Sequence, residues 1–193
     1  MKAHLSQLFW MTVQNPAQAA GFLRQLHVDR VTGWMILILA IVLNTLAYFA
    51  SISMFPPPQD IAIPLLETPF LVFTVLGSTM VTLVFAFFWV GRMFDGKATF
   101  DTILLMVGWL QYMRLAIQLF GMALMLIAPA LSSLFVMAAG LYGIWVVINF
   151  LQVAHGFETP AKAIAVIVFS FVGLAVGLSV FLSLIAVTAF GIS

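Results

Sequence analysis

The sequence predicts an all-α fold: a polytopic membrane bundle of five transmembrane helices, preceded by a short amphipathic N-terminal helix. Three observations carry this. First, 64% of the 193 residues are hydrophobic and only 7% charged, with a mean hydropathy of +1.20. A soluble domain has roughly 25% charged residues and must turn many side chains to water. Second, five apolar runs reach the roughly 20 residues that cross a hydrocarbon core of about 30 Å. Third, these runs are continuous rather than alternating, which favours helices over a barrel. The net charge of +1 comes without a basic run, so no nucleic-acid partner is expected. With no cysteine there is no disulfide, thiolate metal site or palmitoyl anchor.

The chain divides into a cytoplasmic N-terminal segment, residues 1–30, and a transmembrane domain, residues 31–193. In the first segment Thr12, Gln14, Asn15 and Pro16 interrupt any long apolar stretch. No cleavable signal is expected, and the first span serves as its own insertion signal. Asn15-Pro16 places a capping side chain before a proline and opens a short helix. Pro16, Ala19, Ala20, Leu23, Leu26 and His27 recur at helical spacing, while Gln18, Arg24 and Gln25 point elsewhere. Two placements fit this stripe: flat on the cytoplasmic membrane face, or packed as a cap on the ends of the spans.

The spans are placed near 31–53, 69–91, 101–127, 131–153 and 161–190. Pro56-Pro57-Pro58 ends the first in an extended connector. Thr68-Pro69 and Thr159-Pro160 each set a hydroxyl N-cap before a proline, opening the second and fifth. The repeated Glu-Thr-Pro around them reads as shared capping chemistry rather than an internal repeat. Pro129 forces the third and fourth spans to turn back at once. Gly156 suits the end of the fourth. The fifth run is long enough to tilt or to extend past the core.

Lys2, Arg24 and Arg30 precede the first span, Arg92 and Lys97 join the second to the third, and Lys162 opens the fifth. Five crossings put all six on one side, leaving only Asp60 and Glu67 opposite. The positive-inside rule then sets the N-terminus inside and the C-terminus outside.

One costly feature lies within a span. Gln111, Arg114 and Gln118 share a helical face that Gly121 extends. Arg114 is about 20 Å along the third span from Asp101. An arginine at that depth costs about 3 kcal/mol on insertion scales. It should therefore face the interior or a wet cavity, with Asn44, Asn149 and Glu67 as candidate partners. One role is a polar cavity for an anion, a lipid headgroup or a carboxylate. The other is a structural arginine that ties helices together. Gly173 and Gly177 form a small-xxx-small pair suited to close helix packing.

Enzyme signatures are not found. His4, His27 and His155 lack metal-ligand spacing, so no metal is expected. No glycine-rich phosphate loop appears, and no cofactor is expected. Gly177-Leu178-Ser179 has no following glycine or histidine base. No carboxylate lies deep in a span.

Asn15-Pro16 with its short helix and Trp34, the loop Gly96-Lys97-Ala98-Thr99-Phe100-Asp101-Thr102, and the stretch Trp145 to His155-Gly156-Phe157-Glu158-Thr159-Pro160-Ala161-Lys162-Ala163 together resemble bacterial members of the Yip family of Ypt/Rab-interacting proteins. The resemblance covers essentially the whole chain. It implies a five-span integral membrane protein without catalysis of its own, located in the bacterial inner membrane. Eukaryotic relatives act in vesicle trafficking with Rab GTPases. Their Asp-Leu-Tyr-Gly-Pro motif is missing here, so the resemblance does not extend to GTPase binding. The leading expectation is a scaffold or accessory factor that contacts lipids and membrane proteins. The alternatives are a small transporter or channel using the Gln111, Arg114, Gln118 stripe for anions, and a subunit of a larger membrane complex. Self-association is compatible with all three.

Overall fold

The computed structural model describes residues 2–56 and 68–190, with side chains for residues 5–56, 68–177 and 179. These residues form seven helices: α1 (Lys2–Gln14), α2 (Pro16–Gln25), α3 (Arg30–Met54), α4 (Pro69–Met93), α5 (Phe100–Ile127), α6 (Pro129–His155) and α7 (Pro160–Phe190). The last five are each long and apolar enough to cross a membrane. The chain is an integral membrane protein. The five spans stand as a ring in the order α3, α4, α7, α6, α5, closed by the contact of α5 with α3.

The helix ends follow local chemistry. Asp29 caps α3, accepting from the Thr32 amide at 3.1 Å and its hydroxyl at 2.6 Å. The Thr32 hydrogen bonds hold the Asp29 carboxyl below the usual carboxylate range. Thr99 caps α5 through the Thr102 amide at 3.2 Å. Thr68 occupies the N-cap position of α4, but its hydroxyl makes no capping bond. There the proline at the first helical position removes one orphan donor by itself. A single residue, Ala128, separates α5 from α6.

The first closure of the ring is the seam between α3 and α5. Arg30 pairs with Asp101 at 2.7 Å, Gly33 faces Leu104, and Gly108 faces Ile36 and Leu37. The sequence offset stays near 71, so the two helices run in the same direction. A Cβ on Gly108 would lie 3.1 Å from Ile36 Cγ2 and 3.6 Å from the Leu37 backbone nitrogen. A Cβ there would meet the Leu37 backbone at ordinary contact distance and would press on the Ile36 side chain. Tyr112 Oη donates to the Ile36 carbonyl at 3.1 Å.

The basic end is tied by two facing helix C-termini. Past α4, Asp95 takes φ 65°. Gly96 N–H donates to Gly91 O at 2.9 Å and Asp95 N–H to Arg92 O at 3.1 Å. Past α6, Gly156 takes φ 67°. Phe157 N–H donates to Gln152 O at 2.9 Å and Gly156 N–H to Val153 O at 3.3 Å. Both are Schellman turns that satisfy the last carbonyls. Lys97 N–H then donates across to His155 O at 2.9 Å. The His155 ring is 1% exposed and stacks on Phe157, with centroids 5.1 Å apart. Its Nε2 lies 3.1 Å from the Phe87 carbonyl and must donate, because a carbonyl only accepts. Gly91 and Gly96 form the walls of this socket, and a methyl on either would overlap the ring.

α1 is a helix on a stretch where the sequence predicted no element. Thr12 is accommodated because its hydroxyl bonds back to Leu8 O at 2.8 Å. The break falls at Asn15, whose side chain accepts from the Gln18 amide at 3.1 Å. The predicted apolar stripe of α2 is buried at Pro16, Ala19, Ala20 and Leu23, while Leu26 and His27 are exposed. This face covers protein. It lies along the flank of α6 instead of over the helix ends. Arg24 Nη1 donates to Val153 O at 3.1 Å, and Tyr142 Oη donates to Val13 O at 2.6 Å. Both pairs are 129 residues apart, so α2 runs parallel to α6 in one register. Tyr142 is at the middle of α6, which places the α1–α2 joint about 20 Å from the basic end of that helix.

Two outcomes test these packing claims. Gly91→Ala should cost about 1–3 kcal/mol, the usual cost of overpacking, and Gly91→Ala with His155→Ala should recover part of the lost thermal stability. A cysteine at Asn15, introduced into this cysteine-free chain, should resist membrane-impermeant maleimide from both sides, whereas one at His27 should label; labelling of both would overturn the placement of the joint beside the middle of α6.

Candidate functional site

The polar stripe of α5 divides between two surroundings. Gln111 Nε2 points to α4 and lies 2.8 Å from Met80 Sδ. Arg114 and Gln118 line a cleft of about 220 Å³ with Asn44 and Tyr48 of α3 and Val72, Val75 and Leu76 of α4. The cleft thus lies between α3, α4 and α5, and the cationic side chain sits on its wall. Arg114 is exposed, and no described residue pairs with or hydrogen-bonds its guanidinium.

Asn44 is the partner that the structure supplies to the cleft, and it is 2% exposed. Its Nδ2 donates to Ala40 O at 2.8 Å and to Gln111 O at 3.2 Å. Two carbonyl acceptors fix the amide orientation. Its Oδ1 is consequently left buried without a donor. An acceptor in that condition costs about 1–3 kcal/mol.

The other sequence-selected residues fall elsewhere. Asn149 bonds to Trp145 O on its own helix at 2.8 Å and does not line the cleft. Glu67 lies outside the described residues. Gly121 faces α6, where its carbonyl accepts from Ser132 Oγ at 2.8 Å. A Cβ on Gly173 or Gly177 would meet no neighbour within 4 Å, so neither is a point of close helix packing among the described residues. That role belongs to Gly33, Gly91, Gly96 and Gly108. Both continue the helical face of the buried Ala163, Val166 and Ser170, but beyond those residues no described neighbour comes within reach of them.

Tyr48 was not singled out from the sequence. Its signal was available, since it stands four residues beyond Asn44 on the same helical face. Met80 carried no such signal.

A second, more polar cleft of about 510 Å³ opens at the basic end, lined by Arg24, His27, Asp29, Lys97, Thr99 and Asp101 among others. Its charged groups are largely committed: Asp29 caps α3, Asp101 pairs with Arg30, and Arg24 bonds to Val153 O.

Arg114→Leu should leave insertion and thermal stability intact or improved, because it removes about 3 kcal/mol of membrane cost without breaking a described bond. Asn44→Ala should lower stability by at most about 1 kcal/mol, because the loss of its two hydrogen bonds is offset in part by removal of the orphaned Oδ1. Thermal unfolding of both variants in detergent checks the contrast.

The Yip1 domain model matches residues 10–187. No curated protein and no solved structure shows a match. The matched span takes in α2, all five membrane helices, and both loops of the His155 socket, whose residues carried the resemblance in the sequence. The chain belongs to the Yip1 domain family.

Proposed function

We propose that this chain is a non-enzymatic membrane scaffold or accessory factor of bacterial type, acting through its helix faces and through lipid. The observation that carries the reading is the outward surface of α6 and α7. Leu134, Met137, Leu141 and Ile144 form one exposed apolar stripe at helical spacing, and Ile164, Val168, Val172 and Val176 form another. In a membrane protein such faces are covered by acyl chains or by partner spans. The proposed location is the bacterial inner membrane. The clustering of Arg24, Arg30, Lys97 and Lys162 supports an orientation with the N-terminus inside and the C-terminus outside. Residues 1–30 then approach the bundle from the cytoplasmic side, and residues 31–193 form the membrane domain.

Arg114, unpaired among the described residues, supports a second reading, an anion site. A static site would serve the accessory factor. A path through the bundle would make the chain a small transporter. The wall of the cleft argues for the first: Met106, Val107 and Gly108, which precede it on α5, are buried. Single cysteines should label with impermeant maleimide at Gln118, and not at Val107 or Leu104. A labelled run from Gln118 through Leu104 would establish a water path and overturn the scaffold reading. Reporter fusions should place Lys97 inside and Pro57 outside, and in-membrane crosslinking from Leu141 should recover partner helices.

A further inference from the structure

We infer that the outer face of α1 and α2 is the seam of a symmetric dimer, in which Gln14 and Gln18 of one copy hydrogen-bond to the same residues of a second copy. Trp10, Gln14, Gln18 and Phe22 follow one another at every fourth position, and all four are exposed. Leu8 and Thr12 of α1 and Pro16, Ala19, Ala20 and Leu23 of α2 are the buried side of the same element. Neither Gln14 nor Gln18 has a partner for its side-chain amide among the described residues. Only the main-chain N–H of Gln18 is engaged, by the Asn15 cap.

Depth makes these two amides costly. Tyr142 Oη donates to Val13 O and Arg24 donates to Val153 O, so α2 and α6 share one register. In that register Gln18 is level with Val147, about 12 Å from the basic end, and Gln14 is level with Gly143, about 18 Å from it. Half the hydrocarbon core is about 15 Å, so Gln14 lies near the midplane and Gln18 well inside the leaflet of the basic end. Gln25, beside Arg24, reaches the headgroups instead. A carboxamide carries two donors and an acceptor, and an acyl chain answers neither. The exposed pair therefore calls for a polar partner at two set depths.

A second copy supplies it by symmetry. Copies inserted with the same orientation are related by a two-fold axis along the membrane normal, and residues near that axis face their own counterparts at equal depth. A carboxamide is its own complement, since each can donate an N–H to the carbonyl of the other. Interhelical bonds of this kind draw helices together in lipid. Trp10 and Phe22 flank the amides with large rings, the side chains enriched at interfaces. An unrelated span would need amides at both depths by coincidence.

The test uses the full chain, which has no cysteine of its own. In native membranes, Gln14→Cys and Gln18→Cys oxidised with copper phenanthroline should give a disulfide-linked dimer at one or both positions. Val168→Cys, on the exposed surface of α7, should not. In phosphatidylcholine vesicles, energy transfer between copies labelled at Lys97→Cys reads the dimer fraction. Gln14→Leu combined with Gln18→Leu breaks no described bond and should raise the dimer dissociation constant about tenfold. No disulfide dimer at either glutamine, or an equal yield at Val168, would overturn the proposal. Disulfides formed only with other proteins would overturn the second copy as the occupant. An unchanged dissociation constant in the double-leucine variant would overturn the amides as the seam. Labelling of both introduced cysteines by impermeant maleimide would overturn their depth, and with it the call for a partner. If the double-leucine variant fails to fold, the single-cysteine chains still decide.

Discussion

The close parallel contact of α3 with α5 is the interaction on which the remaining geometry depends. In lipid, apolar surface gains little by choosing another helix over a tail, so association relies on tight packing and interhelical hydrogen bonds. Gly33 and Gly108 remove the side chains that would hold the two backbones apart. Only at that separation does the short amide of Asn44 reach the Gln111 carbonyl. The Arg30–Asp101 pair marks the register at one end of the seam, and the Asn44 bond marks it farther along. The exposed ion pair contributes little energy. The fixed register brings Asn44 and Tyr48 to the cleft that Arg114 and Gln118 enter from α5.

A second constraint holds the basic end. Two helices finish there in the same hydrogen-bonded turn, one using glycine and one using an aspartate in the left-handed region. Each turn leaves a neighbour's polar group within reach. Lys97 supplies the amide that α6 lacks a partner for, and Lys162 Nζ donates to Phe94 O at 3.3 Å at the end of α4. His155 fills the space between them and is bound by shape as much as by its bond to Phe87. The residues that carried the resemblance are thus mostly the parts of one joint, widely separated in sequence and meeting in space.

Much of the fold was legible because membrane helices announce themselves by length, and their ends by proline, glycine and capping side chains. Pro69, Pro129, Pro160 and Gly156 all stand where those rules put them. What could not be read was rotation about the helix axes. Asn44 and Asn149 are equally plausible partners on paper, yet one faces the seam and cleft while the other bonds only to its own helix. Gly173 and Gly177 have the spacing of a packing motif and meet no described neighbour, whereas Gly33 and Gly108 lie on different helices and form no motif in either. The membrane also blurs the usual clue, since apolar side chains cover both the inward and the outward faces. The cleft was half visible: its arginine stood out by cost, its tyrosine did not.

The shared register of α2 and α6 also bears on how the molecule comes into being. The groups that receive the first helices are 129 residues downstream. At ribosomal speeds of about 5–20 residues per second, the docking partner emerges on the order of ten seconds after α2 has left the tunnel. Through that interval the small, oily face of Ala19, Ala20 and Leu23 lacks its α6 partner. The nascent amino end must be parked, on the bilayer or on a chaperone, until the fourth crossing arrives to receive it. Biogenesis of this chain therefore finishes near where its translation began.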